Sequence, residues 1–386
     1  MHSRTIGVLC ILIVCVLLTA GLWPFHTPTN DVSWLSDGDG LHFGGYGSIL
    51  SSGSFPVQMD KTNGTMEVWL EPGMLGGRHT ILSFDGSAHS GTPFSLLQHE
   101  DTLIVQQDNE DTTGTSWTAW CMINGLFRTR TSVFLTITLG PRQTTVYVNG
   151  GLSKQCSVGD SSNNFTGRLV VANSPNSSDS WSGTIKGLAI YKHRLTQDEV
   201  LDSHESWVKK EKPNLTPGEI ALYLFNEHSG DTVHNEFDPR TDLKIPSHYF
   251  VLHSAFLSPP WRGYHPSWSY WEDFTVNIVG FVPFGFFAEA YFSSVRQKKR
   301  AAAITVVMGF LISLLIETLQ AFLPTRDSGM NDLVTNTLGT AVGVLLCNLS
   351  WSQQMLKQSR VFSKICGQNA LQNQVVARAK ANLAGS

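Results

Sequence analysis

Hydrophobic and polar positions follow two different patterns along the chain. Near both ends, apolar runs occupy residues 5–22, 275–292, 301–323 and 333–349. Each run is close to the roughly 20 residues that a helix needs to cross a bilayer. Between the first two runs, residues 40–207 carry short alternating stretches separated by turn residues. The long runs predict transmembrane helices, and the alternation predicts antiparallel strands.

The alternating stretches predict an antiparallel β-sandwich. The clearest strand candidates are residues 65–70, 94–97, 134–139 and 145–150. Asn149-Gly150 is a strong hairpin-turn signal. Thr196 followed by Glu199 fits a capping box at the start of a helix. Residues 221–226 predict one more strand, which is a candidate extension of the sandwich.

We therefore predict a multidomain chain in which an all-β antiparallel sandwich is combined with an all-α bundle of four transmembrane helices. The predicted segments are an N-terminal anchor at 1–25, the sandwich at 40–207, a connector with a strand and an aromatic interfacial segment at 208–270, a membrane block at 271–350 and a polar tail at 351–386. The first apolar run also fits a cleaved signal peptide. Its length and poor cleavage site favour a retained anchor.

The distribution of charge predicts how the chain lies in the membrane. A net charge of -4 and a charged fraction of 15% do not indicate nucleic-acid binding. Four basic residues between 296 and 300 place that short loop in the cytoplasm by the positive-inside rule. Counting spans from this loop puts the sandwich outside and both termini inside. We thus expect an integral protein of a bacterial cytoplasmic membrane.

Two cysteines, Cys121 and Cys156, fall in the polar part of the chain. If that part lies outside the cytoplasm, a disulfide between them is a reasonable prediction. Two buried thiols fit the sequence equally well, because the sequence gives no distance between them.

Glu317 lies inside an apolar run of membrane-spanning length. An ionisable side chain in a transmembrane helix is costly, which makes it a candidate functional residue. Gln320 lies three residues further on the same helix face, and Ser313 lies four residues before it. Other polar residues enter the neighbouring helices from the same side of the membrane. The predicted binding site comprises Asn277, Glu317, Gln320, Arg326, Asp332 and Asn336.

The polar site has two interpretations. Arg326, in the loop after Glu317, is the cation best placed to offset the acids. A polar clamp that fixes helix register is the alternative, since interhelical hydrogen bonds contribute about 0.6–2 kcal/mol each. Gly339 and Gly343 form a G-x-x-x-G pair, which indicates close helix packing within the chain or, alternatively, dimerisation. Pro283 is expected to bend or loosen its helix.

The sandwich region resembles the laminin-G or concanavalin A-like jelly-roll family. The matching stretches are GLHFGG at 40–45, EVWL at 67–70, TILSF at 80–84, VYVNG at 146–150 and IKGLAIY at 185–191. The resemblance implies a jelly roll that either binds a ligand or hydrolyses glycans. Retaining hydrolysis needs two carboxylates about 5 Å apart. Because Glu67 and Glu71 are four residues apart on one strand, we expect no glycosidase activity. Three tryptophans are expected to serve packing rather than sugar binding: Trp117, Trp120 and Trp181.

The membrane block resembles the VanZ-like family, which is named for a member associated with glycopeptide (teicoplanin) resistance. The matching residues are Asn277-Ile278, FVPFG at 281–285, Ser313-Leu314, Glu317, Gln320, Pro324, Arg326, Asp327, Asp332, Asn336, Gly339 and Gly343. In this chain the jelly roll separates the first helix from the others. The first helix therefore either joins the bundle or serves only as an anchor.

Three functions remain open at this point. The first is an envelope protein whose outward-facing site binds an anionic or lipid-linked component, with a jelly roll that binds glycan or protein and, by family resemblance, a link to glycopeptide resistance. The second is an intramembrane enzyme with Glu317 as acid or base; the missing nucleophile and histidine argue against it. The third is a membrane-tethered adhesion or lectin module. We expect no cofactor, although a calcium ion in the jelly roll is an untested option that no motif supports.

Overall fold

A computed structural model describes residues 3–55, 63–86, 92–110, 116–158, 165–176, 178–209, 219–254, 256–259, 268–295 and 298–350. The chain divides into two compact units. One unit is a β-sandwich formed by His26–Ala255 together with Leu323–Asp327. The other contains the long helices and is formed by Met1–Phe25, Phe256–Phe322 and Ser328–Ser386.

The sandwich consists of two antiparallel sheets. Its strands are, in chain order, β1 (Val32–Trp34), β2 (Leu41–Phe43), β3 (Ile49–Ser51), β4 (Gly64–Pro72), β5 (Arg78–Asp85), β6 (Phe94–His99), β7 (Thr102–Glu110), β8 (Ser116–Ile123), β9 (Val133–Gly140), β10 (Gln143–Val148), β11 (Gly151–Ser157), β12 (Arg168–Val171), β13 (Gly183–Tyr191), β14 (Glu219–Tyr223), β15 (Thr232–Val233) and β16 (Leu243–Lys244). The first sheet has the order β1-β2-β13-β4-β9-β10-β11, with β14 also paired to β13. The second has the order β15-β16-β3-β12-β5-β6-β7-β8.

Alternation along the strands builds the core between the sheets. On β4, Met66, Val68 and Leu70 point inward and are fully buried. Trp181 is also buried there, and its indole N–H donates to Gln98 Oε1 at 2.6 Å. Trp120 differs from the expectation of a packing role: it is 58% exposed. The reason is the alternation along β8: Ala119 and Cys121 are buried on the core side, so Trp120 points to the outer face of the second sheet.

The sandwich extends beyond the predicted limits of 40–207. At the C-terminal side, β14 pairs with β13 and β16 pairs with β3, so this part of the predicted connector completes both sheets. Tyr223 on β14 is buried in the core, and its hydroxyl donates to the backbone oxygen of Thr241 at 2.6 Å. The Asn149-Gly150 turn joins β10 to β11 with positive φ at both residues, as a tight hairpin requires.

A single helix, α2 (Gln197–Lys209), packs on the outer face of the first sheet. The capping box is confirmed: Thr196 N donates to Glu199 Oε2 at 2.7 Å, and Glu199 N donates to Thr196 Oγ1 at 3.4 Å. The fully buried carboxylate of Glu67 on β4 holds the helix in place. It accepts hydrogen bonds from Ser203 Oγ at 2.7 Å and from Trp207 Nε1 at 3.2 Å.

Cys121 and Cys156 are joined by a disulfide, with their Cα atoms 5.7 Å apart. Cys121 lies on β8, at the edge of the second sheet, and Cys156 lies on β11, at the edge of the first. The bond therefore links the two sheets at one open side of the sandwich.

Among the described residues, four helices have the length and apolar composition to cross a membrane. They are α1 (Ser3–Leu22), α3 (Trp268–Val295), α4 (Lys298–Gln320) and the last helix, α5 (Met330–Ser350). The first helix joins the bundle, because its side chains pack against the cluster around Phe281 and Ile316. α3 continues through Pro283 without a break.

Glycines bring α3 and α5 into backbone contact. A Cβ on Gly339 would lie 2.2 Å from the backbone oxygen of Ile278, and one on Gly343 would lie 2.2 Å from that of Val282. From the other side, a Cβ on Gly285 would lie 2.1 Å from the backbone oxygen of Thr340. The G-x-x-x-G pair thus packs within the chain.

Candidate functional site

Glu317 is the centre of a buried polar cluster at one end of the helical unit. Its side chain is 1% exposed, one turn before the end of α4. Its Oε2 accepts a hydrogen bond from the backbone N–H of Gly329 at 2.8 Å, and its carboxylate also accepts one from the hydroxyl of Ser328. Gly329 directly precedes α5. A helix N-terminus offers free N–H groups and the positive end of the helix dipole, so it suits a carboxylate.

The turn that binds Glu317 is itself held by the segment that enters the helical unit from the sandwich. Ser328 Oγ accepts from Leu257 N at 3.2 Å, and the backbone oxygen of Ser328 accepts from Ser258 N at 2.9 Å. Met330 N in turn donates to the backbone oxygen of Ser258 at 3.0 Å. The backbone around Glu317 is therefore fixed on two sides.

Gln320 connects the cluster to the first helix. Its Nε2 donates to the backbone oxygen of Gly21 on α1 at 2.8 Å. A Cβ on Gly21 would lie 2.9 Å from the side chain of Ile316, so the helices are in close contact here. The other amide atom, Gln320 Oε1, is buried and has no hydrogen-bond partner among the described residues.

Two side-chain pairs connect α5 to the other helices. Asn277 Nδ2 on α3 donates to Asp332 Oδ1 at 2.9 Å. Asn336 Nδ2 donates to Ser313 Oγ on α4 at 3.0 Å, one helical turn below Glu317. Asn336 Oδ1 is a second buried acceptor without a partner among the described residues. Residues from all four long helices thus meet at the end of the bundle where Glu317 lies.

Five of the six predicted site residues lie on these helices: Asn277, Glu317, Gln320, Asp332 and Asn336. Arg326 lies in Leu323–Asp327, which groups with the sandwich unit. Its role as the counter-charge of the acids stays a prediction. No sequence pattern indicated Gly21, Ser328 or Gly329 as partners of the site. Two of them act through backbone groups, which every residue carries, and Gly21 is 299 positions away from Gln320.

A second buried carboxylate, Glu289 on α3, was also missed. It is 2% exposed and accepts from Ser293 Oγ at 3.1 Å and from Thr305 Oγ1 at 3.3 Å. Thr305 precedes Glu317 by twelve residues on α4, which corresponds to about 18 Å along the helix. Glu289 is therefore a separate group, with one described hydrogen bond to each carboxylate oxygen.

The sandwich lacks the geometry of a glycosidase at the two acids that the sequence singled out. Glu67 and Glu71 lie on the same face of β4, which places them about 13 Å apart along the strand. Both hydrolytic mechanisms need a shorter separation, about 5 Å or 6.5–9.5 Å. Within the described part of the chain, no group of three His, Cys, Asp or Glu side chains is placed to hold a metal ion.

Two family comparisons match two parts of the chain that overlap at residues 188–201. Residues 188–351 match the VanZ/LLP1 family, and residues 43–201 match the concanavalin A-like lectin/glucanases superfamily. No curated protein sequence matches the chain.

Solved structures resemble the chain at low sequence identity. The binding domain of botulinum neurotoxin serotype D is 14% identical, with a TM-score of 0.35, over 47% of this chain and 46% of that one. A candidate carbohydrate-binding protein from Bacteroides ovatus is 12% identical, with a TM-score of 0.37, over 57% of this chain and 58% of that one. The chain thus spans about half the length of these structures.

Proposed function

Because the chain joins a VanZ-like membrane region to a concanavalin A-like domain, we propose that it is a bacterial envelope protein that binds the head group of a lipid or lipid-linked envelope component. The membrane site lies at Glu317, and the sandwich recognises a glycan or a protein next to the membrane. The protein acts by binding, without catalysing a reaction.

One observation carries this proposal. Two buried amide oxygens have no partner among the described residues: Gln320 Oε1 on α4, one turn after Glu317, and Asn336 Oδ1 on α5, whose amide pairs with Ser313, one turn before Glu317. A buried acceptor without a hydrogen bond destabilises a fold by about 1–3 kcal/mol. Groups of this kind in a native protein call for an explanation such as a bound molecule. A clamp that served only helix register would leave no acceptor open.

Two features favour a site on the outer side of the membrane. The basic residues between 296 and 300 lie at the start of α4, whereas Glu317 lies near the opposite end of that helix. The positive-inside rule then places Glu317 close to the outer surface. A disulfide in the sandwich is also typical of a compartment outside the cytoplasm.

The test is to identify the lipids that copurify with the protein. Full-length protein is extracted in a mild detergent, and the retained lipids are identified by mass spectrometry. We expect one lipid class to be enriched over the membrane average, and Glu317→Gln to abolish the enrichment. Glu289→Gln is the matched control, because it changes a second buried carboxylate that lies about 18 Å away along the bundle. Equal lipid retention by all three proteins contradicts the proposal.

The family resemblance also leads us to propose a contribution to glycopeptide resistance. A strain that lacks the gene is compared with strains that carry the full chain, the chain with Glu317→Gln, or a chain in which a short linker replaces residues 26–255. We expect the full chain alone to restore teicoplanin tolerance. Tolerance that survives Glu317→Gln but is lost when the linker replaces residues 26–255 indicates a membrane-tethered adhesion module, the competing function.

A further inference from the structure

The open hydrogen-bonding position of Gln320, beside Glu317, is an acceptor. The orientation of the Gln320 amide is fixed, because the backbone oxygen of Gly21 can only accept and must face the amide nitrogen. Gln320 Oε1 therefore points to the unoccupied position. A carboxylate offers about four acceptor positions, and two donors, Gly329 N–H and Ser328 hydroxyl, contact Glu317. A ligand at this position has to supply hydrogen-bond donors.

The surrounding charge is negative. Asp332 is close enough to Glu317 for their charges to interact, and Asp273 acts on Asp332 in the same way. The sequences of α3 and α5 contain no Lys, Arg or His. The basic residues of α1 and α4 lie at the far ends of these helices: Arg4 precedes Gly21 by 17 residues, and Arg300 precedes Glu317 by 17, about 26 Å in each case. Arg326, in the loop after α4, groups with the sandwich unit and has an interaction of its own, and the described charges that act on Glu317 and Asp332 are those of Asp332 and Asp273. Within the helical unit, the acids at this end of the bundle therefore favour a positively charged ligand.

A phosphate or carboxylate fits this position poorly. It would bring more negative charge and further acceptors next to Glu317, Gln320 Oε1 and Asn336 Oδ1. A quaternary ammonium group has the right charge but carries no N–H donor. A primary ammonium group combines a positive charge with three N–H donors, as the lysine side chain does. Water supplies donors but leaves the charge uncompensated.

We propose that the group held beside Glu317, between α1, α4 and α5, is a primary ammonium, carried by a lipid head group or by a soluble amine. This inference rests on the proposed function and specifies the ligand of the same site. N–H groups of the ammonium donate to the Glu317 carboxylate and to Gln320 Oε1. The anionic part of an amine-bearing lipid remains outside this cluster of acids.

The experiment measures binding of three phospholipids with identical acyl chains to full-length protein in detergent by native mass spectrometry. Phosphatidylethanolamine carries a primary ammonium, phosphatidylcholine carries a quaternary one, and phosphatidylglycerol carries none. We expect phosphatidylethanolamine to bind about tenfold or more tightly than the other two, because charge-assisted hydrogen bonds are the strong ones. Glu317→Gln should reduce this preference to about twofold or less, and Glu289→Gln should retain it.

A second variant covers the case in which Glu317→Gln misfolds. Gln320→Met removes the open oxygen and the tie to Gly21 while leaving every charge in place, and it should also weaken the preference. Free ethanolamine separates the two sources of the ammonium. Displacement of the lipid by millimolar ethanolamine supports recognition of the amine alone, and resistance to displacement supports recognition of the amine as part of a lipid.

The outcomes distinguish this inference from the proposed function. If phosphatidylglycerol or phosphatidylcholine binds more tightly than phosphatidylethanolamine, and this binding depends on Glu317, the ligand is not a primary ammonium but the proposed lipid site is supported. Lipid binding that is the same in Glu317→Gln and in the unmodified protein overturns both.

Discussion

At the scale of single residues, the two acids of β4 show how the surroundings decide the behaviour of a carboxyl group. Burial raises the pKa of Glu67 above its ordinary value of 4.5, against the lowering effect of four hydrogen bonds. The Lys186 ammonium, which donates to Glu71 Oε2 at 2.9 Å, lowers the pKa of Glu71. The pKa of Glu67 is therefore raised and that of Glu71 is lowered, although the two side chains are identical and lie four residues apart.

The raised pKa of Glu67 predicts that the sandwich loses stability as the pH rises. Above pH 4.5 the unfolded chain releases this proton while the folded chain still holds it, so the free energy of unfolding falls until the pH passes the pKa of the folded state. Glu67→Gln keeps acceptors and donors for the same partners and has no proton to lose. We expect the unfolding midpoint of the wild-type sandwich to drop by several degrees between pH 5 and pH 8, and that of the variant to drop less.

Glu71→Gln is the control on the same strand. Its lowered pKa gives stabilisation that is present above pH 4.5 and lost as the pH falls through the pKa of the folded state. The variant should therefore be destabilised at pH 8, by no more than about 1 kcal/mol because the ion pair is partly exposed. It should match the wild type in strong acid. A Glu67→Gln curve parallel to that of the wild type is incompatible with the first prediction.

The residues of the membrane site were predictable only where a polar side chain interrupts an apolar helix. Glu317 stood out because an acid in an apolar run is costly, and helical spacing led from it to Gln320. Its strongest described partner, the backbone N–H of Gly329, has no sequence signature. Glu289 was missed for a different reason: it lies close to the end of its apolar run, where an acid is less conspicuous.

At the scale of secondary-structure elements, the glycines of α5 set the distance between α5 and α3. A side chain on Gly343 would collide with the backbone of Val282 and Phe286, which cannot move as a flexible side chain can. We expect Gly343→Val to lower the thermal stability of the detergent-solubilised protein by the equivalent of about 1–3 kcal/mol or more, as overpacking does. The shift is measured by the loss of the monodisperse peak in size-exclusion chromatography after heating.

Gly280 on α3 provides the matched control. A Cβ there meets no atom within 4 Å, so Gly280→Val should leave the midpoint nearly unchanged. Equal midpoints for Gly343→Val and Gly280→Val would show that close packing of α3 on α5 does not depend on Gly343. If Gly343→Val dissociates an oligomer without lowering the midpoint, the dimerisation alternative is correct.

The disulfide also acts between secondary-structure elements, because it joins the edge strands of the two sheets. The bond closes a loop with a sequence separation of 35 residues. For a loop of this size the chain-entropy estimate is about 3–4 kcal/mol of stabilisation. Replacing both cysteines by serine should lower the unfolding midpoint of the sandwich, with unchanged circular dichroism at low temperature. A midpoint equal to that of the wild type shows that the bond adds no stability.

The strands show the limits of sequence patterns at this scale. Alternation located β4, β6, β9 and β10 to within two or three residues, because one face of each strand is buried. It also indicated β14, as the candidate extension at 221–226, but it did not indicate β15 and β16. Strands β15 and β16 have two residues each, which is too short for a periodic signal. Pairing to β3, some 190 residues earlier, holds them in place instead.

At the scale of the whole molecule, the sandwich is an insertion between two helices of one bundle. α1 precedes the sandwich, α3 follows it, and the two helices pack against each other. Inserted domains are tolerated where the chain enters and leaves at nearby points. The helical unit therefore has its own packing, which is why replacing residues 26–255 by a linker is a meaningful experiment.

The same arrangement gives a prediction for the orientation of the chain. The sandwich follows α1 and precedes α3, and α3 leads to the basic residues between 296 and 300, so a crossing by α3 predicts that the sandwich and these residues lie on opposite sides of the membrane. The positive-inside rule predicts that the basic residues lie in the cytoplasm. A membrane-impermeant maleimide should then label a Ser36→Cys variant in intact cells, because Ser36 lies on the exposed surface of the sandwich unit. Cys366, in the tail, should react only after the membrane is opened. Labelling of Cys366 in intact cells, with protection of the thiol introduced at position 36, reverses the orientation and places the Glu317 site on the cytoplasmic side.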